Sequence, residues 1–231
     1  TMHLAGAQHF PEAVRQKLDG WHWGDHSLVT IHLALNAPPD YAASKFDPDI
    51  NRAFNVFFGF DDTEQVTRCF EQCKNNSFPD WPMGNGACNS LFDSTYAPQG
   101  KHAAFWWPFA PYALPGGPEE WDRRKPEITA RLLDVWRGYA PNLTPDNVLA
   151  TFLFTPIDIE RGNAAMRYGA VRLGAYVPSQ LGINRPHPQL AKNRTPIDGL
   201  YLCGSSCHGG GANGGPGYNA PRNAGVITVG T

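Results

Sequence analysis

The chain has 231 residues, 42% hydrophobic and 12% aromatic, enough to bury a core in one large domain or two small ones. Nineteen basic residues stand against 21 acidic ones for a net charge of -2, with no run of Lys or Arg, which argues against nucleic acid as a partner. No apolar stretch approaches the roughly 20 residues of a membrane-spanning helix, which leaves only peripheral membrane contact open. The 24 glycines and 21 prolines point to many turns rather than a helical bundle. No basic region followed by an apolar core opens the chain, so no secretory leader is read. Five cysteines suggest no disulfide framework and are expected as free thiols in a reducing, cytoplasmic setting. Cys69 with Cys73 and Cys203 with Cys207 are spaced more widely than structural zinc ligands, and no metal site is expected.

Pro11 to Trp21 reads as a short helix, with Val14, Leu18 and Trp21 at helical spacing. Leu28 to Leu35 alternates as a strand that turns His32 away from Val29, Ile31, Leu33 and Leu35. Phe54, Val56, Phe58 and Phe60 alternate on a second strand, and Asp61-Asp62 caps a helix whose stripe is Val66, Cys69, Phe70 and Cys73. Residues 75–86 read as loop and Cys88 to Phe92 as a third strand. Ala103 to Tyr112 is a strand leading into a loop, rich in rings at Phe105, Trp106, Trp107, Phe109 and Tyr112. Pro126 is placed at a helix start, after an earlier turn over Glu119 to Lys125. Val148 to Phe154 is a further strand, and Asp158 and Glu160 are read as sharing one strand face beyond it. The pattern is mixed α+β.

The end of the chain differs in kind. An apolar run, Leu200 to Cys203, stops at Gly204, and glycines then stand at 209, 210, 211, 214, 215 and 217 before Tyr218 to Ile227 can begin a helix. Such a turn lets bare backbone N–H groups and a positive helix end approach phosphate or another electron-rich group. The literal G-x-G-x-x-G at Gly209, Gly211 and Gly214 is weak by itself, because a dinucleotide fingerprint opens a βαβ unit with an acid about 20 residues on.

With these markers in order, the sequence resembles the C-terminal half of the phytoene desaturase and retinol saturase-like FAD-dependent oxidoreductases, within the FAD-dependent amine oxidase superfamily. The markers are Leu33-Ala-Leu-Asn-Ala-Pro38, Ala97-Pro-Gln-Gly-Lys-His102 and Thr155-Pro-Ile-Asp-Ile-Glu160. The most specific is Thr195-Pro-Ile-Asp-Gly-Leu-Tyr-Leu-Cys-Gly204 with its Pro-Gly-Tyr-Asn-Ala continuation. The resemblance implies an α+β fold: an antiparallel or mixed-sheet substrate-binding domain over 1–194, then the last strand and helix of a Rossmann-like FAD-binding domain over 195–231. The ADP-binding G-x-G-x-x-G half would be a separate N-terminal FAD-binding chain or a portion lost by cleavage, and the chain alone would be inactive.

By the same resemblance FAD is the cofactor. Gly204 and Ser205 would lie by its pyrophosphate and ribityl chain, and Asn213, Gly214, Gly215, Pro216, Gly217, Tyr218 and Asn219 near the ring. Many flavoproteins carry Asp where this chain has Ser205. Phe105, Trp107 and Phe109 would suit a small apolar substrate in a dehydrogenase or desaturase-type reaction, although ordinary sheet core explains such rings equally well. No catalytic base stands out among His32, His102 and His208. Two other readings stay open: a non-catalytic structural subunit of a flavoprotein complex, and a nonredox flavin-dependent isomerase.

Overall fold

The computed structural model describes residues 2–208 and 215–225, without the side chains of His3 and Asn223. In chain order the elements are α1 (Met2–Ala5), α2 (Glu12–Asp19), β1 (Ser27–Leu28), β2 (Thr30–Leu35), β3 (Val56–Phe58), α3 (Thr63–Lys74), β4 (Gly84–Ala87), β5 (His102–Ala110), α4 (Glu120–Tyr139), β6 (Val148–Phe154), α5 (Pro156–Gly162) and α6 (Gly215–Ala224), joined by short 3-10 turns. The backbone divides into two compact units. One is Asp25–Ala164; the other joins residues up to Gly24 with those from Ala165 on. No helix among the described residues is long and apolar enough to cross a membrane.

The unit Asp25–Ala164 is α+β and built on an antiparallel sheet in the order β3-β4-β5-β2-β6, with β1 paired to β5. Strand alternation sorts its residues onto two faces. Ile31, Leu33 and Leu35 of β2, Trp106 of β5 and Leu153 of β6 turn to one side and join Trp121, Ile128, Leu132 and Trp136 of α4 in the main core. Phe58 stacks on Trp106 at 4.6 Å and lies 5.8 Å from Trp136, which locks sheet to helix. A smaller cluster of Cys69, Cys73 and Met83, with Val66 and Phe109, seats α3.

Three local readings need correction here. The segment read as a third strand holds a 3-10 turn at Asn89–Leu91, and the strand is β4, all but its last residue inside the stretch read as loop. Glycine conceals it: a Cβ on Gly84 would lie 1.9 Å from the Trp107 carbonyl oxygen, so only glycine lets the backbones approach so closely. Secondly, α4 runs 20 residues straight through Pro126. Its first turn is anchored by buried Trp121, whose indole N–H donates to the Tyr112 carbonyl at 2.9 Å.

The third correction concerns Asp158 and Glu160, which lie on a helix and not on a strand. Thr155 is its N-cap, and Asp158 returns the bond to the Thr155 N–H at 2.9 Å in a reciprocal capping box. Lys125 sits 2.9 Å from the same carboxylate, and Glu160 accepts from the Tyr112 hydroxyl. Both carboxylates are thereby given structural work.

In the other unit, Phe10 and Val14 pack with Leu190, flanked by Leu18, Ile197 and Leu202. The strand expected over Leu200 to Cys203 reduces to a single bridge between Arg194 and Tyr201, beside a Leu202 N–H to Asn193 carbonyl bond of 2.7 Å. A strand needs a neighbouring strand along its length, and none pairs with it among the described residues. The helix expected from Tyr218 begins instead at Gly215, and proline, which lacks an N–H, is well placed at the second position of its first turn.

Two outcomes are expected. Gly84→Val should destabilise the sheet unit by about 3 kcal/mol, the upper range for overpacking, seen as a lower urea midpoint. Burial raises the Asp158 pKa, but the Thr155 hydroxyl and Lys125 ammonium outweigh it, and the net shift is downward. A depressed carboxyl pKa gives stability that is complete above its unfolded value near 4 and is lost as pH falls through the folded one. Asp158→Asn should therefore lower stability at neutral pH, and the gap from wild type should close on acidification.

Candidate functional site

Where α4 covers one face of the sheet, the opposite face keeps a row of rings in contact with solvent. Phe105 on β5 pairs with His32 on β2, which pairs in turn with Phe152 on β6. The His32 ring lies 6.3 Å from Phe105 and 6.2 Å from Phe152, so it is flanked by aromatics on both sides. Trp107 continues the row 4.8 Å from Phe105, opposite Asn85 of β4. Phe152 is 61% and Trp107 39% exposed, while Trp106 between Phe105 and Trp107 is fully buried. The floor is thus mainly apolar, with one imidazole near its middle and the Asn85 side chain beside Trp107. Partial burial on this face pushes the His32 pKa below its ordinary value.

The three expected substrate contacts do not all share this floor. Phe105 and Trp107 do. Phe109 lies under α3, 4.9 Å from Phe70 and 5.3 Å from His26, as a joint between sheet and helix. Phe152 was missed by sequence reasoning, and so was the exposed Phe57 beside Phe60. The signal for Phe152 lay in the alternation of Val148–Phe154; the register, which puts it opposite His32, appears only in the fold. His102 is engaged elsewhere, 3.1 Å from the Ser90 hydroxyl.

The second candidate lies in the other unit. Gly204 has φ near 100°, in the region glycine favours, and a Cβ there would meet nothing within 4 Å. The Cys207 N–H donates to its carbonyl at 3.0 Å, closing the turn through Ser205. The carbonyl of Ser205 accepts from Arg185 Nε at 2.7 Å. His208 Nδ1 is buried and has no hydrogen-bond partner among the described residues. Gly215, Pro216, Gly217, Tyr218 and Asn219 form the first described turn and a half of α6. Asn213 and Gly214 lie outside the described residues. An open glycine turn, an unpartnered imidazole nitrogen and a helix N-terminus suit an electron-rich or anionic cofactor group. Among the described residues no three His, Cys, Asp or Glu side chains are grouped to hold a metal ion.

Against known proteins, no family model matches the chain. It is 32% identical over 207 residues to a limonene dehydrogenase subunit of Castellaniella defragrans, covering 87% of this chain and 37% of that protein. It is 34% identical over 196 residues to pyridine nucleotide-disulfide oxidoreductase domain-containing protein 2 of Rattus norvegicus, covering 84% of this chain and 32% of that protein. The mouse protein of the same name is 33% identical over 195 residues.

The homologues are oxidoreductase-like proteins. Neither name is that of a phytoene desaturase or retinol saturase, so they support the broader grouping and not the narrower one. The chain spans about a third of the length of these relatives, and one of them is named as a subunit.

The environment of His32 is open to measurement. An NMR titration should place its pKa below the ordinary value of about 6.5, and Phe152→Ala, which hydrates one side of the ring, should move it back up. Because the unfolded chain takes up that proton first, His32 should make wild-type stability decline as pH falls below about 6.5, and His32→Gln should flatten that slope. An ordinary pKa insensitive to Phe152 would mean that the rings do not desolvate it.

Proposed function

We propose that this chain supplies the substrate floor and the C-terminal cofactor turn of a flavin-dependent oxidoreductase that acts, within a larger assembly, on a small apolar organic molecule. The observation that carries this reading is the uncovered aromatic sheet face around His32, in a chain similar to a protein named as a limonene dehydrogenase subunit. FAD is the proposed cofactor, and its ADP-binding site is proposed to lie outside these residues, in a separate N-terminal polypeptide or another part of the same protein. Residues 1–194 are assigned mainly to substrate binding and 195–231 to the cofactor domain.

In this reading the bound flavin supplies the two-electron redox chemistry. Gly204 and Ser205, with Asn213, Gly214, Gly215, Pro216, Gly217, Tyr218 and Asn219, would hold it. The absence of a Cβ at Gly204 lets the backbone come within hydrogen-bond reach of the cofactor, and the N–H groups at the start of α6 favour negative charge. Phe105, Trp107 and Phe152 would bind the substrate by burying its apolar surface and excluding water. His32 can offer one hydrogen bond or accept a proton, and Asn85 adds an amide at the edge of the same face. An apolar substrate with at most one polar group fits this floor best.

The test is made on the purified native assembly. It should be yellow, with a flavin absorption band that bleaches when a monoterpene hydrocarbon or alcohol is added without oxygen. Trp107→Ala should raise the KM for that substrate about tenfold, the equivalent of roughly 1.4 kcal/mol of lost apolar contact. Flavin content should not change. A colourless assembly would remove the flavin reading and leave a structural subunit; a yellow one whose substrate response ignores Trp107 would remove the sheet face from the site.

A further inference from the structure

Arg185 is 1% exposed, yet no carboxylate is paired with it among the described residues. Its guanidinium is held by backbone carbonyls instead. Nε donates to Ser205 at 2.7 Å; Nη1 donates to Gln180 at 3.1 Å and Ala175 at 3.3 Å; Nη2 donates to Arg172 at 2.6 Å and Gly174 at 3.5 Å. The rings of Trp21 and Tyr176 lie 5.4 and 5.1 Å from its central carbon. Carbonyl dipoles and ring faces satisfy the donors but leave the positive charge unneutralised, and a buried charge without a counter-charge is costly. An arginine cannot shed its proton to escape that cost. One carbonyl in its grip belongs to Ser205, next to Gly204, where the turn is open.

We propose that Arg185 is a positioning residue for the cofactor turn: it clamps Ser205 so that the turn from Gly204 to Cys207 is set before the cofactor arrives, and its unpaired charge draws an anionic cofactor group to that turn. The proposal rests on the flavin reading above. It adds a role for a residue in none of the sequence motifs.

Clamp and field separate in two variants of the native holoenzyme. Arg185→Gln removes the charge and most of the fork, whereas Arg185→Lys keeps the charge and loses the fork. The Gln variant should bind FAD at least tenfold more weakly, by titration of the deflavinated enzyme. Its preference for reduced over oxidised flavin should also fall about tenfold, which lowers the two-electron midpoint potential by about 30 mV. The Lys variant should keep the wild-type potential while still binding FAD more weakly. A purely structural arginine would lower thermal stability in both variants and leave the potential where it was, and that result overturns the proposal.

Should neither variant fold, hydrogen exchange on the wild type decides. The Cys207 amide should already be protected in the deflavinated enzyme, and exchange there at the rate of an unstructured peptide would show that the turn is not preset. A wild type that holds no flavin would overturn the functional reading itself. Normal flavin binding with an unchanged Gln variant would overturn only the role of Arg185.

Discussion

The seating of Trp106 between the sheet and α4 is the constraint from which the rest of the larger unit follows. Its ring stacks on Phe58 and lies 6.1 Å from Trp136, and its indole N–H reaches the Gly84 carbonyl at 3.2 Å. Because side chains on a strand alternate, burying Trp106 forces Phe105 and Trp107 to the other side. Pairing then carries that choice across the sheet: Ile31 faces inward with Trp106, and His32 outward with Phe105. A register slip of one residue on β2 would bury the imidazole and expose three aliphatic side chains. The exposed aromatic floor is therefore the obverse of the core, dictated by the same bond pattern.

This coupling shows why part of the molecule was legible in the sequence and part was not. The alternation in Leu28 to Leu35 and the stripe on α3 are local signals, and the outward placement of His32 was readable from them. The aromatic run in β5 was also visible, but the division of its rings between core and open face depends on α4, which lies elsewhere in the chain. β4 was invisible because a strand written Gly-Asn-Gly-Ala carries almost no side-chain signal. Its evidence is the close approach of a neighbouring backbone, a tertiary fact. The capping box at Thr155 and Asp158 is readable in the sequence, but the apolar run Val148–Phe154 immediately before it carries strand periodicity up to its edge.

In the smaller unit the informative residue was hidden for a different reason. Arg185 sits among prolines and glycines with no periodicity to flag it, and its partners are carbonyls, which every residue possesses. Trp21 and Tyr176 hint at a cation held between rings, but they flank it only once distant segments have come together. Gly204 stands out in the sequence because glycine has few uses apart from conformation, whereas Arg185 carries no such mark.

The division of the backbone has a consequence for synthesis. Residues 25–164 form one uninterrupted stretch that closes its own core, so this unit can fold as soon as it clears the ribosome. The other unit brings Phe10 and Val14 against Leu190, Ile197 and Leu202, partners separated by the whole of the first. Contacts between α2 and residues 190–202 therefore span a long sequence separation, and by contact order they form slowly relative to those inside residues 25–164.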